Sequence, residues 1–291
     1  MKRLDPRLNA YRSDLADVRL REVVAAPRYV EGRPARVAVG CAAVRPSPDP
    51  HAQASTFYHY GENLLVFAEA GGYAWCQSLF DGYVGYVEAR QIAIGIVPEA
   101  THFVATSGAW AYEAPDLRSA ASDFLPRHSA VVVVETGLST RGTEYVRLDT
   151  GRHLPLACLS PRPPRSPDIT TAASLYLGCP YLWGGRSWLG LDCSGLVQSA
   201  FRDLALTVPR DTDMQQGTIG KRVPIGCDAD LRRGDLLYLP GHVLIYAGGG
   251  AVIHADGASM MVRRDGLPGL MRERGLDFAR FSVRRHPAAA A

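Results

Sequence analysis

The chain has 291 residues, of which 47% are hydrophobic and 21% charged, and its 32 basic and 29 acidic side chains leave a formal net charge of +3. That length exceeds one typical domain, and the composition is too apolar for a disordered chain. So balanced a charge offers no footprint for a nucleic-acid partner, and no apolar run reaches the roughly 20 residues of a membrane span. Basic pairs such as Arg232-Arg233 and Arg263-Arg264 read as solvated faces.

The chain starts Met1-Lys2-Arg3-Leu4-Asp5-Pro6-Arg7, without the apolar core a signal peptide needs. Six cysteines (41, 76, 158, 179, 193 and 227) are scattered and form no Cys-x-x-Cys pair. Neither a disulfide framework nor a zinc site is expected, and no cofactor. A reducing cytoplasm is the expected location.

Residues 9–24 are expected to form a helix. Beyond them come β-rich runs at Leu64-Leu65-Val66-Phe67, Tyr73-Ala74-Trp75-Cys76 and Tyr83-Val84-Gly85-Tyr86-Val87. Gly71-Gly72 and Asp81-Gly82, which separate them, are hairpin turn signals. A second unit opens with Thr101 to Ala105, continues with Ala130 to Val134 and Glu144 to Leu148, and closes at Thr150-Gly151. Both units follow the same strand order and are read as small β-barrels. The stretch Ser160-Pro161-Arg162-Pro163-Pro164-Arg165-Ser166-Pro167-Asp168 cannot hold a helix or an inner strand. The expected domains are therefore 1–97, with the N-terminal helix and first barrel, 98–160, a linker over 161–168, and 169–291.

After the linker the period changes. Apolar residues at 196, 197, 200, 201 and 204 have helical spacing, and Asp192 stands at the N-cap position. Strands are expected at Asp235 to Leu239, His242 to Ala247 and Ala251 to Ala255, punctuated by Gly241 and by Gly248-Gly249-Gly250. This part is α+β, a helix followed by an antiparallel sheet.

Cys193 falls on the first turn of that helix, where the unpaired N–H groups and the dipole favour a thiolate. Ser194-Gly195 after it would let a substrate approach the backbone closely. A thiol nucleophile needs an imidazole base, and the base needs a group to orient it. His242 opens one strand and His254 closes the next. Antiparallel pairing through the triple-glycine turn would bring both to the same end of the sheet, beside Cys193. A buried structural cysteine is the competing reading, and it suits Cys41, Cys76 or Cys158.

At these residues a resemblance enters. Asp192-Cys193-Ser194-Gly195-Leu196-Val197, with Pro180-Tyr181-Leu182-Trp183-Gly184-Gly185-Arg186-Ser187 upstream, resembles the nucleophile region of the NlpC-type bacterial cell-wall peptidases. Gly241-His242-Val243 and Val252-Ile253-His254 resemble that family's second and third catalytic positions. Arg233-Gly234-Asp235-Leu236 and Val208-Pro209-Arg210-Asp211 resemble its flanking loops, and the resemblance covers about residues 168–285. It implies a circularly permuted papain-like fold for the catalytic domain. Tyr60-Gly61-Glu62, Gly72-Tyr73-Ala74-Trp75 and Asp81 to Val87 are similar to bacterial SH3-like modules. Two such modules before an NlpC-type domain resemble the γ-D-glutamyl-L-diamino acid endopeptidases, of dipeptidyl-peptidase VI type.

The resemblance implies Cys193 as nucleophile, His242 as base and His254 as its orienter. It implies Tyr181 as a donor to the oxyanion, and Asp192, Ser194, Arg210 and Asp211 as substrate-binding residues. Tyr83 is the candidate for holding the substrate amine; the family also places an acid there, with Asp49 as the candidate in this sequence. The implied partner is a muropeptide with a free N-terminal L-Ala, cut to release L-Ala-γ-D-Glu during peptidoglycan recycling. The alternatives are a hydrolase of intact peptidoglycan and a non-catalytic cell-wall-binding protein.

Overall fold

Glycine pairs set the first hairpins. Ala70 and Tyr73 face each other across Gly71-Gly72, both with positive φ (58° and 80°), as a two-residue hairpin loop demands. Around this hairpin a five-stranded antiparallel sheet runs in the order Val84–Glu88, Tyr73–Ser78, Asn63–Ala70, Arg33–Val37 and Ile92–Ile94. A separate hairpin, Cys41–Val44 with Thr56–His59, accompanies it. Ala35, Val37, Val44, Tyr58, Leu64, Val66, Cys76, Tyr83 and Val87 belong to the core between them. The computed structural model describes residues 4–289, which divide into two compact units at Pro164/Arg165.

The rest of the N-terminal unit has a second sheet, ordered Ala121–Pro126, Gly108–Tyr112, His153–Pro155, Thr143–Leu148 and Val133–Thr140. A three-stranded sheet of Ala130–Val131, His102–Val104 and Leu159–Ser160 stands beside it. Its core of Val104, Ala109, Ala111, Leu125, Val131, Val146, Leu148 and Leu154 also takes in Tyr60, a residue from the first strand set. The expected helix over residues 9–24 is absent. That segment holds only the bridge-like strand Ala16–Asp17 and a 3₁₀ turn at Val18–Leu20. Its buried apolar residues, Ala10, Leu15 and Ala16, do not recur at helical intervals, and Ala10 and Leu15 pack on Phe67 and Trp75 as an extended strap.

In the C-terminal unit, helix α1 (Ile169–Ser174) starts at Asp168, whose carboxylate accepts from the Thr170 and Thr171 N–H groups at 2.8 and 2.9 Å. Helix α2 (Cys193–Arg202) has nine of its ten residues buried, so packing rather than propensity holds it. Leu196, Val197, Ala200 and Phe201 pack on a six-stranded antiparallel sheet. Its strand order is Lys221–Val223, Ser282–Arg285, Leu236–Leu239, His242–Gly248, Ala251–Asp256 and Met261–Gly266. Helices α3 (Thr212–Thr218) and α4 (Leu267–Arg274) complete the unit. The strands at 221, 261 and 282 carry many charged residues, and periodicity does not reveal them. Among the described residues no helix is long and apolar enough to cross a membrane.

One glycine joins the two strand sets of the N-terminal unit. Gly61 has φ of 76°, and a Cβ there would lie 2.0 Å from the Ala130 carbonyl oxygen. Gly61→Ala is expected to lower the unfolding free energy by roughly 2–4 kcal/mol, the sum of a left-handed backbone and an overpacked contact. Urea unfolding followed by circular dichroism checks this; an unchanged midpoint would mean that the joint gives way freely.

Candidate active site

The site begins with a helix cap. Asp192 has extended backbone, and its Oδ1 accepts from the Gly195 N–H at 2.7 Å, the first turn of α2. The same oxygen accepts from Ser194 Oγ at 3.2 Å and Arg210 Nη1 at 3.0 Å. Oδ2 accepts from the Gly184 N–H at 2.9 Å and Arg210 Nη2 at 2.6 Å. Arg210 also donates to Gly185 O and Ser194 Oγ, and only 1% of it is exposed. Gln215 on α3 donates to the Ser194 and Pro209 carbonyls. One buried carboxylate thus ties together the 184–185 loop, the start of α2 and the 208–215 segment.

This arrangement changes the expected roles of three residues. The side chains of Asp192, Ser194 and Arg210 were expected to bind substrate, but their donors and acceptors are spent on one another and on the backbone. They hold the nucleophile's surroundings from behind. Gly195 also serves packing rather than substrate approach, since a Cβ there would lie 2.0 Å from the Gly185 carbonyl oxygen. Asp211 occupies the N-cap position of α3 without a side-chain cap bond and is half-buried.

Cys193 is 6% exposed. Its Sγ lies 3.8 Å from Thr212 Oγ1 and 3.9 Å from the Gly241 carbonyl, the residue before His242. The Ser194 and Val243 N–H groups also point at the sulfur. Burial pushes the thiol above its ordinary value, and the Asp192 charge adds to this against those hydrogen bonds. Burial therefore works against the thiolate stabilisation expected at this helix start.

The triple-glycine turn brings His242 and His254 together. His242 Nε2 lies 3.0 Å from His254 Nδ1, with the rings 5.2 Å apart and nearly edge-on. His254 is fully buried, and its Nε2 lies 2.9 Å from Asp265 Oδ2 on the next strand. Burial lowers the His242 pKa to about 4, helped by the neighbouring His254 and the Arg274 charge. Burial also lowers His254, with Asp265 opposing it. Cys193 Sγ thus lies against the carbonyl of the residue before His242, with burial pushing the thiol up and both imidazoles down. Asp265 and Thr212 were not foreseen. Asp265 stands in the run Arg263-Arg264-Asp265, where the arginines suggest only a solvated face.

Tyr181 is held by its N–H bond to the Met260 carbonyl and a bridge to Leu191. Its hydroxyl is pushed up to about 12, by burial first and then by the nearby Cys193 and Asp192 charges, so it remains a donor. Tyr83 belongs to the N-terminal unit and is 5% exposed. It is a core residue, lining a cavity of about 250 Å³ with Arg12, Trp75 and Tyr86. Trp75 is also buried, under the Arg12 guanidinium. Asp49 is exposed and accepts from the His51 N–H. The buried carboxylates described in that unit are Asp17, paired with Arg19, and Glu62 of the Tyr60-Gly61-Glu62 motif.

Comparison with known proteins bears on this geometry. Residues 178–273 match the NlpC/P60 family, and residues 44–92 match the bacterial dipeptidyl-peptidase Sh3 domain. The chain carries an NlpC/P60 domain. Over 96 residues it is 40% identical to a gamma-D-glutamyl-L-lysine dipeptidyl-peptidase of Bacillus subtilis, covering 30% of this chain and 31% of that protein. Over 89 residues it is 37% identical to dipeptidyl-peptidase 6 of Lysinibacillus sphaericus, covering 31% and 32%. Peptidoglycan endopeptidase RipB of Mycobacterium tuberculosis is 36% identical over 108 residues, covering 31% and 43%. The chain thus spans about a third to two-fifths of the length of these curated relatives. The crystal structure of an NlpC/P60 family protein from Bacillus cereus shares the fold, with a TM-score of 0.69 and 20% identity over 87% of this chain and 99% of that one. The NlpC/P60 match takes in Cys193, His242, His254 and Asp265; the Sh3 match takes in Glu62 and Tyr83.

Two expectations follow for the NlpC/P60 domain. Arg210→Met leaves the buried Asp192 charge uncompensated and should destabilise the protein by about 3–5 kcal/mol, read from urea unfolding. A loss under 1 kcal/mol would show that the cap survives without its guanidinium. The second concerns pH. With His242 held near 4 in the folded state and at 6.5 when unfolded, the unfolded chain takes up an extra proton as pH falls between those values. Stability should decline from pH 6.5 towards pH 4, and decline less steeply for His242→Gln. Equal slopes for the two proteins would contradict the burial of a neutral imidazole.

Proposed function

We propose that the protein is a cysteine endopeptidase that cuts the γ-D-Glu to diamino acid bond of muropeptides with a free N-terminal L-Ala, releasing L-Ala-γ-D-Glu. The observation that carries this reading is the buried Cys193 at a capped helix start, beside the hydrogen-bonded chain of His242, His254 and Asp265. The likeness of residues 44–92 to the Sh3 domain of bacterial dipeptidyl-peptidases supports the substrate class. The two β-cores of the N-terminal unit are read as two SH3-like barrels, and the helix-then-sheet order of the catalytic unit as a permuted papain-like fold.

In this reaction Cys193 Sγ attacks the γ-carbonyl while its proton passes to His242 Nδ1. General-base help of this kind is what a thiol with a raised pKa needs. Negative charge develops on the carbonyl oxygen, and the Cys193 N–H and the Tyr181 hydroxyl donate to it. The imidazolium then protonates the leaving amine. Water, deprotonated by the same imidazole, hydrolyses the thioester and frees the dipeptide. Recognition of the free L-Ala ammonium is part of the proposal. A demand for a free amine would spare lipid-linked precursors and intact wall, where that nitrogen is acylated, and so supports a recycling role in the cytoplasm. The second reading, hydrolysis of intact peptidoglycan, is favoured by the likeness to RipB.

Incubation with L-Ala-γ-D-Glu-diaminopimelate and mass spectrometry of the products tests the proposal. L-Ala-γ-D-Glu should be released by the protein and not by Cys193→Ala. N-acetylation of the L-Ala should lower kcat/KM at least ~100-fold, within the range of a site left with an unpaired polar group. Equal cleavage of free and acetylated peptides would sink the amine-recognition part. Cleavage of intact sacculi without dipeptide release would favour the second reading.

A further inference from the structure

The diagonal that brings His254 to His242 repeats one strand further on. His254 pairs in register with Arg263, and Asp265 lies two residues along on the same face. His242, His254 and Asp265 thus step across three neighbouring strands, with contacts of 3.0 and 2.9 Å. Diagonal neighbours on one face of an antiparallel pair lie within reach of long side chains. The other oxygen of Asp265, Oδ1, accepts from Arg263 Nε at 2.9 Å and Nη2 at 2.7 Å. Arg263 therefore fixes which carboxylate oxygen faces the histidine.

Hydrogen-bond polarity runs one way along this line. An ionised carboxylate only accepts, so His254 must carry its hydrogen on Nε2. A neutral imidazole has one N–H, which leaves His254 Nδ1 an acceptor. His242 must then donate from Nε2, and its lone pair falls on Nδ1. We infer that Asp265 is a positioning residue that, through His254, fixes His242 in the tautomer whose bare Nδ1 is the base for Cys193. The inference rests on the proposed peptidase reading. Burial disfavours the charged form of both rings. The other charges around the pair, Asp256 and Arg274, are joined to each other at 2.7 Å.

The geometry makes Asp265→Asn a sharp test. Arg263 donates twice to Oδ1, so the amide oxygen takes that place and the amide NH₂ faces His254 Nε2. Polarity along the line then reverses. His254 Nδ1 becomes the donor to His242 Nε2, and the His242 hydrogen moves to Nδ1, where the base should be bare. A wrong tautomer in a catalytic histidine costs roughly 10⁴-fold in kcat, and substrate contacts are untouched, so KM should hold. Two-bond ¹⁵N–¹H spectra of the intact, histidine-labelled protein read the tautomers directly. The wild type should show Nε2–H on both His242 and His254, and D265N should show Nδ1–H on both with kcat down about 10³–10⁴-fold.

An Nδ1–H tautomer on either ring of an active wild-type enzyme would overturn the inference, as would D265N with unchanged tautomers and kcat. The wild-type spectrum alone decides the tautomer point if D265N fails to fold. Nε2–H tautomers in a protein that cleaves no γ-D-Glu bond would sink the peptidase reading and leave the Asp265 relay standing.

Discussion

A single buried carboxylate organises the C-terminal unit. Asp192 accepts five hydrogen bonds, from the Gly184 and Gly195 N–H groups, from Ser194 Oγ and from two nitrogens of Arg210. Removing a carboxylate and a guanidinium from water costs several kcal/mol each, and only complete pairing offsets it. Such completeness fixes three chain segments at once, and Cys193 follows directly on the capping residue. Gly185 and Gly195 belong to the same constraint, because the loop carbonyl approaches the helix so closely that no Cβ fits at 195.

The same burial sets the electrostatics of the reaction site. It raises the Cys193 thiol and lowers both histidines, so charge separation between sulfur and imidazole is unfavourable at rest. In the proposed reaction, proton transfer from the sulfur accompanies bond formation. That places weight on the position of a hydrogen rather than on a standing thiolate. Three strands supply the line of acceptors and donors that decides that position, and a sheet holds such a line more rigidly than loops would.

Much of this was legible in the sequence. Helical spacing after Asp192 located α2 and its cap, and the triple glycine between two apolar strands placed His242 near His254. Asp265 is hidden because it ends a run of three charged residues, Arg263-Arg264-Asp265, in a six-residue strand, so neither alternation nor composition marks it. The resemblance implies a substrate contact for Arg210, whereas its full burial and its bonds to Asp192 mark it as a clamp. In the strap at residues 9–24, where a helix is expected, burial shows that Ala10 and Leu15 meet a sheet rather than form a helix stripe. In the N-terminal unit the glycine turns were visible, while the strands Gly108–Tyr112 and Ala121–Pro126, with small and polar residues, were not.

The central claim is that Cys193 attacks the γ-carbonyl of D-Glu. Its most direct test is an affinity probe, L-Ala-γ-D-Glu with a chloromethyl ketone in place of the scissile amide, followed by peptide mapping of the labelled protein. The account predicts stoichiometric alkylation at Cys193, suppressed by excess muropeptide, with the exposed Cys227 unlabelled on the same timescale. Labelling of Cys227 in preference to Cys193, or none at Cys193 in a protein that still turns over substrate, would contradict it.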